Sequence, residues 1–261
     1  EKFVGIEPGK ARLIKHEAPL DFGGLLRFLG QAEKAPGGYH GAGRSWDGLA
    51  TPAAGRALLP LQPPLRGVTV KGCTVLQHAL VQARLATLRN VDTDMETFRR
   101  ALGQIGLMLL TEALRPLETK PHRVRTPLAR TTGHRLRREI LLVPILRAGQ
   151  GLVGLADQLL PEARLGYLGM VRNEATLQPE CYLEKLPPRL RRYEVMICDP
   201  MLATGGSAVA AGQLLQQRGV ERLHFLHALA APEGVRALRK AFPNEPVYLG
   251  AVDELLNEHG Y

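Results

Sequence analysis

The stretch ICDPMLATGGSAVAAGQLLQQRG, from Ile197 to Gly219, joins a strand-like apolar run to a helix-like run through an acid and a Thr-Gly-Gly turn. The first turn of a helix carries unpaired N–H groups and a partial positive charge, which favour an anion. The turn lacks the lysine of a nucleoside-triphosphate loop, so it suits a monophosphate, and Asp199 could accept hydrogen bonds from a sugar. The alternative is an ordinary strand–turn–helix junction with a capping Ser or Thr.

Strands and helices alternate on both sides of this stretch. The run EILLVPIL (Glu139–Leu146) is continuously apolar, as is typical of a strand covered on both faces. Further strands are predicted at 163–171, 193–199, 222–231 and 246–253. Helices are predicted at 205–218, ending at Gly219, at 232–242, and where Leu152, Leu155 and Leu159 have helical spacing. This alternation predicts an α/β fold, doubly wound, with a mostly parallel sheet flanked by helices.

Two more helices are predicted before the first of these strands. One places Val81, Leu85 and Leu88 on a single face. The other is expected to begin at a capping box formed by Thr93 and Glu96. Its apolar stripe comprises Phe98, Leu102, Ile105, Leu109 and Ala113.

Composition separates the first 66 residues from the rest. Residues 1–66 are rich in Gly, Pro and Ala, and we expect a partly disordered extension of unknown role, with a short helix around Phe22–Leu29, before one domain at 67–261. The chain has no 18-residue apolar run or leader, which predicts no membrane span and no secretory signal. Three widely spaced cysteines suit the cytoplasm. The chain starts at Glu1, so we expect a fragment or a processed protein.

The net charge of +9 is concentrated in one segment. Residues 115–138 hold eight basic side chains and one acidic side chain. Such a segment could meet an anionic ligand, a nucleotide effector or nucleic acid, or could be a solvated loop. It contains no Phe, Tyr or Trp, which RNA-stacking surfaces usually supply, so nucleic acid is disfavoured.

Two arginines follow other predicted strands. Because the carboxyl ends of parallel strands meet at one edge, Arg147 and Arg172 are expected near Asp199. An arginine beside small residues (Ala148 and Gly149) indicates a second phosphate site, and a surface ion pair is the alternative. The polar segment after Arg172 is long enough for a mobile lid.

Five stretches, VPILRAG, VRNEATLQPECYLEKLP, ICDPMLATGGS, LHALAAPEGV and LNEHGY, occur in an order that closely resembles the uracil phosphoribosyltransferase family over roughly Val68–Tyr261. The resemblance implies transfer of a phosphoribosyl group from 5-phosphoribosyl 1-diphosphate to uracil, giving UMP and diphosphate. It also implies Mg²⁺ carried by the donor, a homodimer or larger homo-oligomer, and GTP as an effector in some members. A phosphoribosyltransferase-fold regulator that binds the donor and RNA, and a transferase for another nucleobase, are the alternatives.

The resemblance assigns roles to individual residues. Asp199 would bind ribose hydroxyls and favour the positive charge that develops on the sugar, while Arg147 and Arg172 would hold the diphosphate; these three are the expected catalytic residues. The donor-binding set adds Pro200, Met201, Leu202, Ala203, Thr204, Gly205, Gly206 and Ser207. No residue is expected to be a metal ligand.

Two further implications concern parts of the chain outside these loops. The segment 173–187, with Tyr182 and Lys185, resembles the family's small projecting arm. The family's base-binding segment follows the tyrosine that matches Tyr261, so the domain is expected to be truncated and the uracil-binding residues to lie beyond it.

Overall fold

A computed structural model of the protein describes residues 72–172 and 179–253, with the side chain of Arg172 left out. The predictions for residues 1–66, 173–178 and 254–261 lie outside these ranges. The helices are α1 (Ala79–Arg89), α2 (Met95–Leu114), α3 (Gly149–Leu152), α4 (Gly206–Gln217) and α5 (Pro232–Ala241). The strands are β1 (Cys73–Val75), β2 (Thr119–Arg125), β3 (Arg130–Leu136), β4 (Glu139–Leu146), β5 (Arg164–Leu165), β6 (Tyr167–Arg172), β7 (Pro179–Lys185), β8 (Tyr193–Cys198), β9 (Met201–Leu202), β10 (Leu223–Ala230) and β11 (Val247–Val252).

The main sheet has the strand order β1-β11-β10-β8-β4-β6-β7. The strands from β1 to β6 in this order run parallel, and β7 pairs antiparallel with β6 at the edge. The short strands β5 and β9 pair with β4 and β10. After β4 the chain places β6 on one side of it and β8 on the other, so the strand order reverses between β4 and β8. Open α/β sheets bind ligands at such a switch point.

Alternate residues of the central strands enter two separate cores. In β4, Ile140 and Leu142 pack with the apolar sides of α1 and α2, whereas Leu141 and Val143 face α4 and α5. The predicted stripes of α1 and α2 are buried, because they cover the first of these faces. The sheet is therefore covered on both faces, and the predicted doubly wound α/β fold is confirmed.

Two local predictions are wrong. The helix expected across Leu152, Leu155 and Leu159 ends at Leu152, a turn follows in which the Gly154 N–H donates to the Gly151 carbonyl, and Leu159 is left 39% exposed. The helix α2 is capped by Asp94, whose carboxylate accepts from the Thr97 N–H at 2.9 Å. The hydroxyl of Thr93 donates to the carbonyl of Thr87 at 2.7 Å, and the N-cap position is one residue later than predicted.

The basic segment contains a feature that the sequence analysis did not predict. Strands β2 and β3 form a two-stranded antiparallel hairpin that is separate from the main sheet. Its register places Arg123, Arg125 and Arg130 on one face, and Lys120 and Arg135 on the other. The predicted arm at 173–187 is described only from residue 179, where it forms the edge strand β7.

None of the helices formed by residues 72–172 and 179–253 is long and apolar enough to cross a membrane.

Candidate active site

The polar loops after β4 and β8 lie at the same edge of the sheet, because these strands are adjacent and parallel. Arg147 follows β4, and Asp199 follows β8. Arg172 is the last residue of β6, whose carboxyl end lies at the same edge. The fold thus brings the three predicted loops to one side of the molecule, while the side-chain position of Arg172 stays outside the description.

The loop after β8 is anchored by backbone hydrogen bonds on to β10. The N–H of Asp199 donates to the Leu226 carbonyl at 3.1 Å, and the N–H of Leu229 donates to the Pro200 carbonyl at 2.9 Å. Met201 and Leu202 then pair with Leu229 and Ala230 as β9. These bonds fix the backbone of Asp199–Leu202 before the chain turns into α4.

The turn into α4 depends on Gly205. Its φ of +84° lies in the left-handed region, and a Cβ atom there would lie 3.0 Å from the carbonyl oxygen of Gly234. As a glycine it caps α4 without a side-chain hydrogen bond, and the first turn of α4 contains no acidic residue. Thr204 and Ser207 are exposed beside it. The first N–H groups of α4 therefore form a positively polarised edge that is open to an anion.

Gly234 supports this loop from the far side. A Cβ atom at Gly234, in the first turn of α5, would lie 2.5 Å from the carbonyl oxygens of both Leu202 and Ala203. The absence of a side chain lets α5 pack directly on the loop backbone. Gly234 was not predicted as a site residue; its position two residues after the proline that starts α5 was the available signal.

The loop after β4 presents its arginine to solvent. The Leu146–Arg147 peptide is cis, Arg147 and Ala148 are exposed, and Gly149 is buried. A groove of about 810 Å³ opens beside Arg147 and is also lined by Arg99 and Arg100 from the first turns of α2. Arg99 and Arg100 lie 48 and 47 residues before Arg147 in the chain, so their place beside it was not predictable from the sequence.

Burial controls the protonation of the groups around Asp199. It raises the pKa of Asp199 to about 7. It also raises the pKa of the Cys198 thiol, with a further contribution from the Asp199 charge, so this cysteine is an inert buried side chain. His227 of β10 contacts the Asp199 carbonyl and was not singled out from the sequence.

The acidic and sulfur-containing residues do not form a metal cage. In residues 72–172 and 179–253, no group of three or more His, Cys, Asp or Glu side chains is placed to hold a metal ion. Mg²⁺ prefers several oxygen ligands and often uses substrate phosphates.

Comparisons with known proteins give the family. The family model for uracil phosphoribosyltransferase matches residues 75–261. The chain is 45% identical over 192 residues to a uracil phosphoribosyltransferase of Roseiflexus castenholzii, covering 74% of this chain and 92% of the relative. It is 43% identical over 190 residues to the enzyme of Streptococcus equi subsp. zooepidemicus, covering 72% and 91%. The solved structure of the AQ2163 protein from Aquifex aeolicus matches with a TM-score of 0.69 and 38% identity, covering 72% of this chain and 91% of that one. The chain belongs to the uracil phosphoribosyltransferase family.

Proposed function

We propose that this protein is a cytoplasmic pyrimidine-salvage enzyme that transfers the phosphoribosyl group of 5-phosphoribosyl 1-diphosphate to uracil. The products are UMP and diphosphate. The observation that carries the proposal is the glycine-capped N-terminus of α4, which follows Asp199 and β9 at the switch point of the sheet. Membership of the uracil phosphoribosyltransferase family supports uracil as the acceptor.

The loop Ala203–Ser207 would bind the 5-phosphate. The first N–H groups of α4 supply donors, and the exposed Thr204 and Ser207 supply hydroxyls. Pro200, Met201 and Leu202 would complete the binding set by holding the loop against β10. Asp199 precedes this loop at the same edge of the sheet, so the ribose attached to the phosphate would be held between the loop and Asp199.

Asp199 would accept hydrogen bonds from the ribose hydroxyls in its ionised form. In the reaction the bond from C1 of the ribose to the diphosphate oxygen breaks, a bond to N1 of uracil forms, and N1 loses its proton. Positive charge develops on the sugar as the diphosphate leaves, and a nearby carboxylate stabilises that charge.

Arg147 and Arg172 would hold the diphosphate and stabilise the charge that it gains on leaving. The support is their shared edge, since Arg147 follows β4 and Arg172 ends β6. An arginine can donate two parallel hydrogen bonds to a phosphate group. Mg²⁺ would arrive as the chelate of the donor, because the described residues offer no cage for it.

An assay of UMP formation tests the proposal. The protein at its natural length is mixed with the donor, Mg²⁺ and labelled uracil, and cytosine, hypoxanthine and adenine serve as competing acceptors. We expect donor-dependent UMP formation and no comparable product from the other bases. Lack of UMP would contradict the reaction, and preference for another base would contradict uracil as the acceptor. The same assay with and without GTP tests GTP as an activator, and an unchanged rate would remove it.

We also propose that the protein is a homodimer or a larger homo-oligomer. Leu128, in the turn of the β2–β3 hairpin, is 97% exposed, and Val124 in β2 is 38% exposed. A two-stranded hairpin is only marginally stable alone, and exposed apolar side chains on it suit a protein partner. Light scattering should give a mass above one chain, and Leu128→Asp should lower it. A monomeric wild-type protein would contradict the proposal.

A further inference from the structure

His227 is one of two histidines in the strand β10, whose other six residues are apolar. All eight residues of β10 are buried, and His227 has no exposed surface. It lies between Leu226, which pairs with Cys198 of β8, and Leu229, which pairs with Met201 of β9. This position is the level of the sheet at which Asp199 and Pro200 leave β8.

The imidazole contacts the backbone of the proposed donor site. Its Nδ1 lies 2.8 Å from the carbonyl oxygen of Asp199. A carbonyl oxygen can only accept, so Nδ1 carries the proton and donates. Burial lowers the pKa of His227 to about 4, so the ring is neutral at physiological pH and keeps this donor.

The Asp199–Pro200 peptide has a particular need for such a donor. Pro200 has no N–H, and the backbone bonds on either side of this peptide run from Asp199 to Leu226 and from Leu229 to Pro200. The carbonyl of Asp199 lies between those two bonds and accepts from the His227 side chain. The imidazole therefore restrains the Asp199–Pro200 peptide, which is attached to the Cα atom that carries the Asp199 side chain.

The second ring nitrogen provides an independent observation. Nε2 of His227 is buried, and none of the residues at 72–172 and 179–253 forms a hydrogen bond with it. A buried imidazole with one hydrogen bond is a poor choice for stability alone, because an apolar side chain there would avoid an unsatisfied polar atom. Among the described residues, the bond to the Asp199 carbonyl is then the one hydrogen bond that this side chain makes.

We infer that His227 is a positioning residue for the phosphoribosyl donor. It holds the Asp199–Pro200 peptide so that the carboxylate of Asp199 and the start of the phosphate loop keep a fixed relation to each other. The inference rests on the proposed function, in which this loop binds the donor. It assigns a role in donor binding to a buried residue that would not touch the donor itself.

Two substitutions separate the hydrogen bond from the bulk of the side chain. His227→Asn keeps an N–H donor at the place of Nδ1, whereas His227→Leu fills the space without a donor. His224→Leu is the matched control, because His224 is also buried in β10 but its Nε2 lies 3.1 Å from Glu194, toward the opposite edge of the sheet. Donor affinity is measured by calorimetry without uracil, with KM and kcat measured in the full assay.

We expect His227→Leu to weaken donor binding by about five- to tenfold, as for the loss of one hydrogen bond. The KM for uracil should stay within about twofold, His227→Asn should restore most of the donor affinity, and His224→Leu should leave it unchanged. Donor binding by His227→Leu within about twofold of wild type, or His227→Asn as weak as His227→Leu, would overturn the inference.

Two further outcomes are also decisive. If His227→Leu does not fold, His227→Gln replaces it, because its amide lies at the place of Nε2 and the Nδ1 donor is lost; the same criteria then apply. If the wild-type protein binds the donor and shows this pattern without making UMP, the proposed reaction fails and the role of His227 stands. A wild-type protein that binds no donor would overturn both.

Discussion

Gly149 lies directly against the carbonyl group of Cys198. A Cβ atom at Gly149 would be 2.4 Å from that oxygen and 3.1 Å from the backbone of Pro144. Gly149 begins α3 two residues after Arg147, and Cys198 directly precedes Asp199. This backbone contact therefore sets the spacing between the proposed diphosphate-binding and ribose-binding loops at the switch point of the sheet.

Gly149→Ala should reduce both stability and turnover. The methyl group must displace backbone on one of the two strands, at a cost of about 1–3 kcal/mol in the free energy of unfolding. Gly154→Ala is the control, since its nearest contact would be an ordinary 3.4 Å and the site is exposed. Urea unfolding and the UMP assay measure both effects. Equal behaviour of the two variants would contradict a close contact at Gly149.

Gly205 and Gly206 should respond differently to alanine, although they are adjacent. Gly205→Ala places a side chain at a φ of +84° against Gly234, so it should lower stability by about 1–2 kcal/mol. A Cβ atom at Gly206 meets only the Thr204 hydroxyl, at 3.8 Å, so Gly206→Ala should fold normally.

The proposed phosphate site gives Gly206→Ala its functional effect. The methyl group would occupy the space where the phosphate approaches the backbone, and we expect a loss of about 100-fold in kcat/KM for the donor. Thermal melting separates this effect from instability. A Gly206→Ala variant with wild-type kinetics would show that the phosphate does not bind here.

The sequence predicted the elements whose periodicity reflects burial. The run at Glu139–Leu146 became β4 with the predicted bounds, because both faces of a central parallel strand are covered. The helix predicted at 205–218 became α4, whose buried side includes Ala208 and Leu215, and Gly219 follows it with a φ of +87°.

Features that depend on a distant partner were not predictable in this way. The role of Gly149 depends on its contact with Cys198, and the role of His227 depends on its contact with Asp199. The two residues of each pair are far apart in the sequence, and the fold brings them together. The hairpin of β2 and β3 lacks a covered face, so its residues show no apolar alternation. The helix predicted across Leu155 does not form, because the spacing of the leucines gives no sign of the turn at Gly154.

Arg147→Ala should impair catalysis without destabilising the protein. The side chain is exposed, so its loss should leave the melting temperature nearly unchanged, while kcat should fall by about 100-fold if it stabilises the leaving diphosphate. Arg222→Ala removes an exposed arginine before β10, at the amino edge of the sheet, and is the control. Product inhibition by diphosphate should weaken in the first variant alone. Unchanged diphosphate affinity would place the leaving group elsewhere.

The raised pKa of Asp199 predicts the pH dependence of donor use. The ionised carboxylate is the form that accepts hydrogen bonds from ribose hydroxyls. Because the pKa of Asp199 is about 7, this form dominates only when the pH is above about 7. The kcat/KM for the donor should therefore rise with pH through about 7, where an ordinary aspartate would already be ionised. Asp199→Asn should lower turnover by about 100-fold or more and remove this dependence. Near-normal activity in Asp199→Asn would exclude the carboxylate from the mechanism.

The same half-buried carboxyl group should make the folded protein less stable at high pH. Its pKa is about 7 when folded, against an ordinary value of 3.8, so the folded state holds an extra proton between these values. Stability from this group is complete below pH 4 and is lost as the pH rises to about 7. Asp199→Asn carries no charge, so its melting temperature relative to wild type should increase across that range and level off above it. Melting curves at pH 4, 6 and 8, with Asp157→Asn as an exposed control, measure the difference. A variant less stable than wild type at pH 8 would show that the carboxylate is stabilised in the folded protein by a partner that its raised pKa does not reveal.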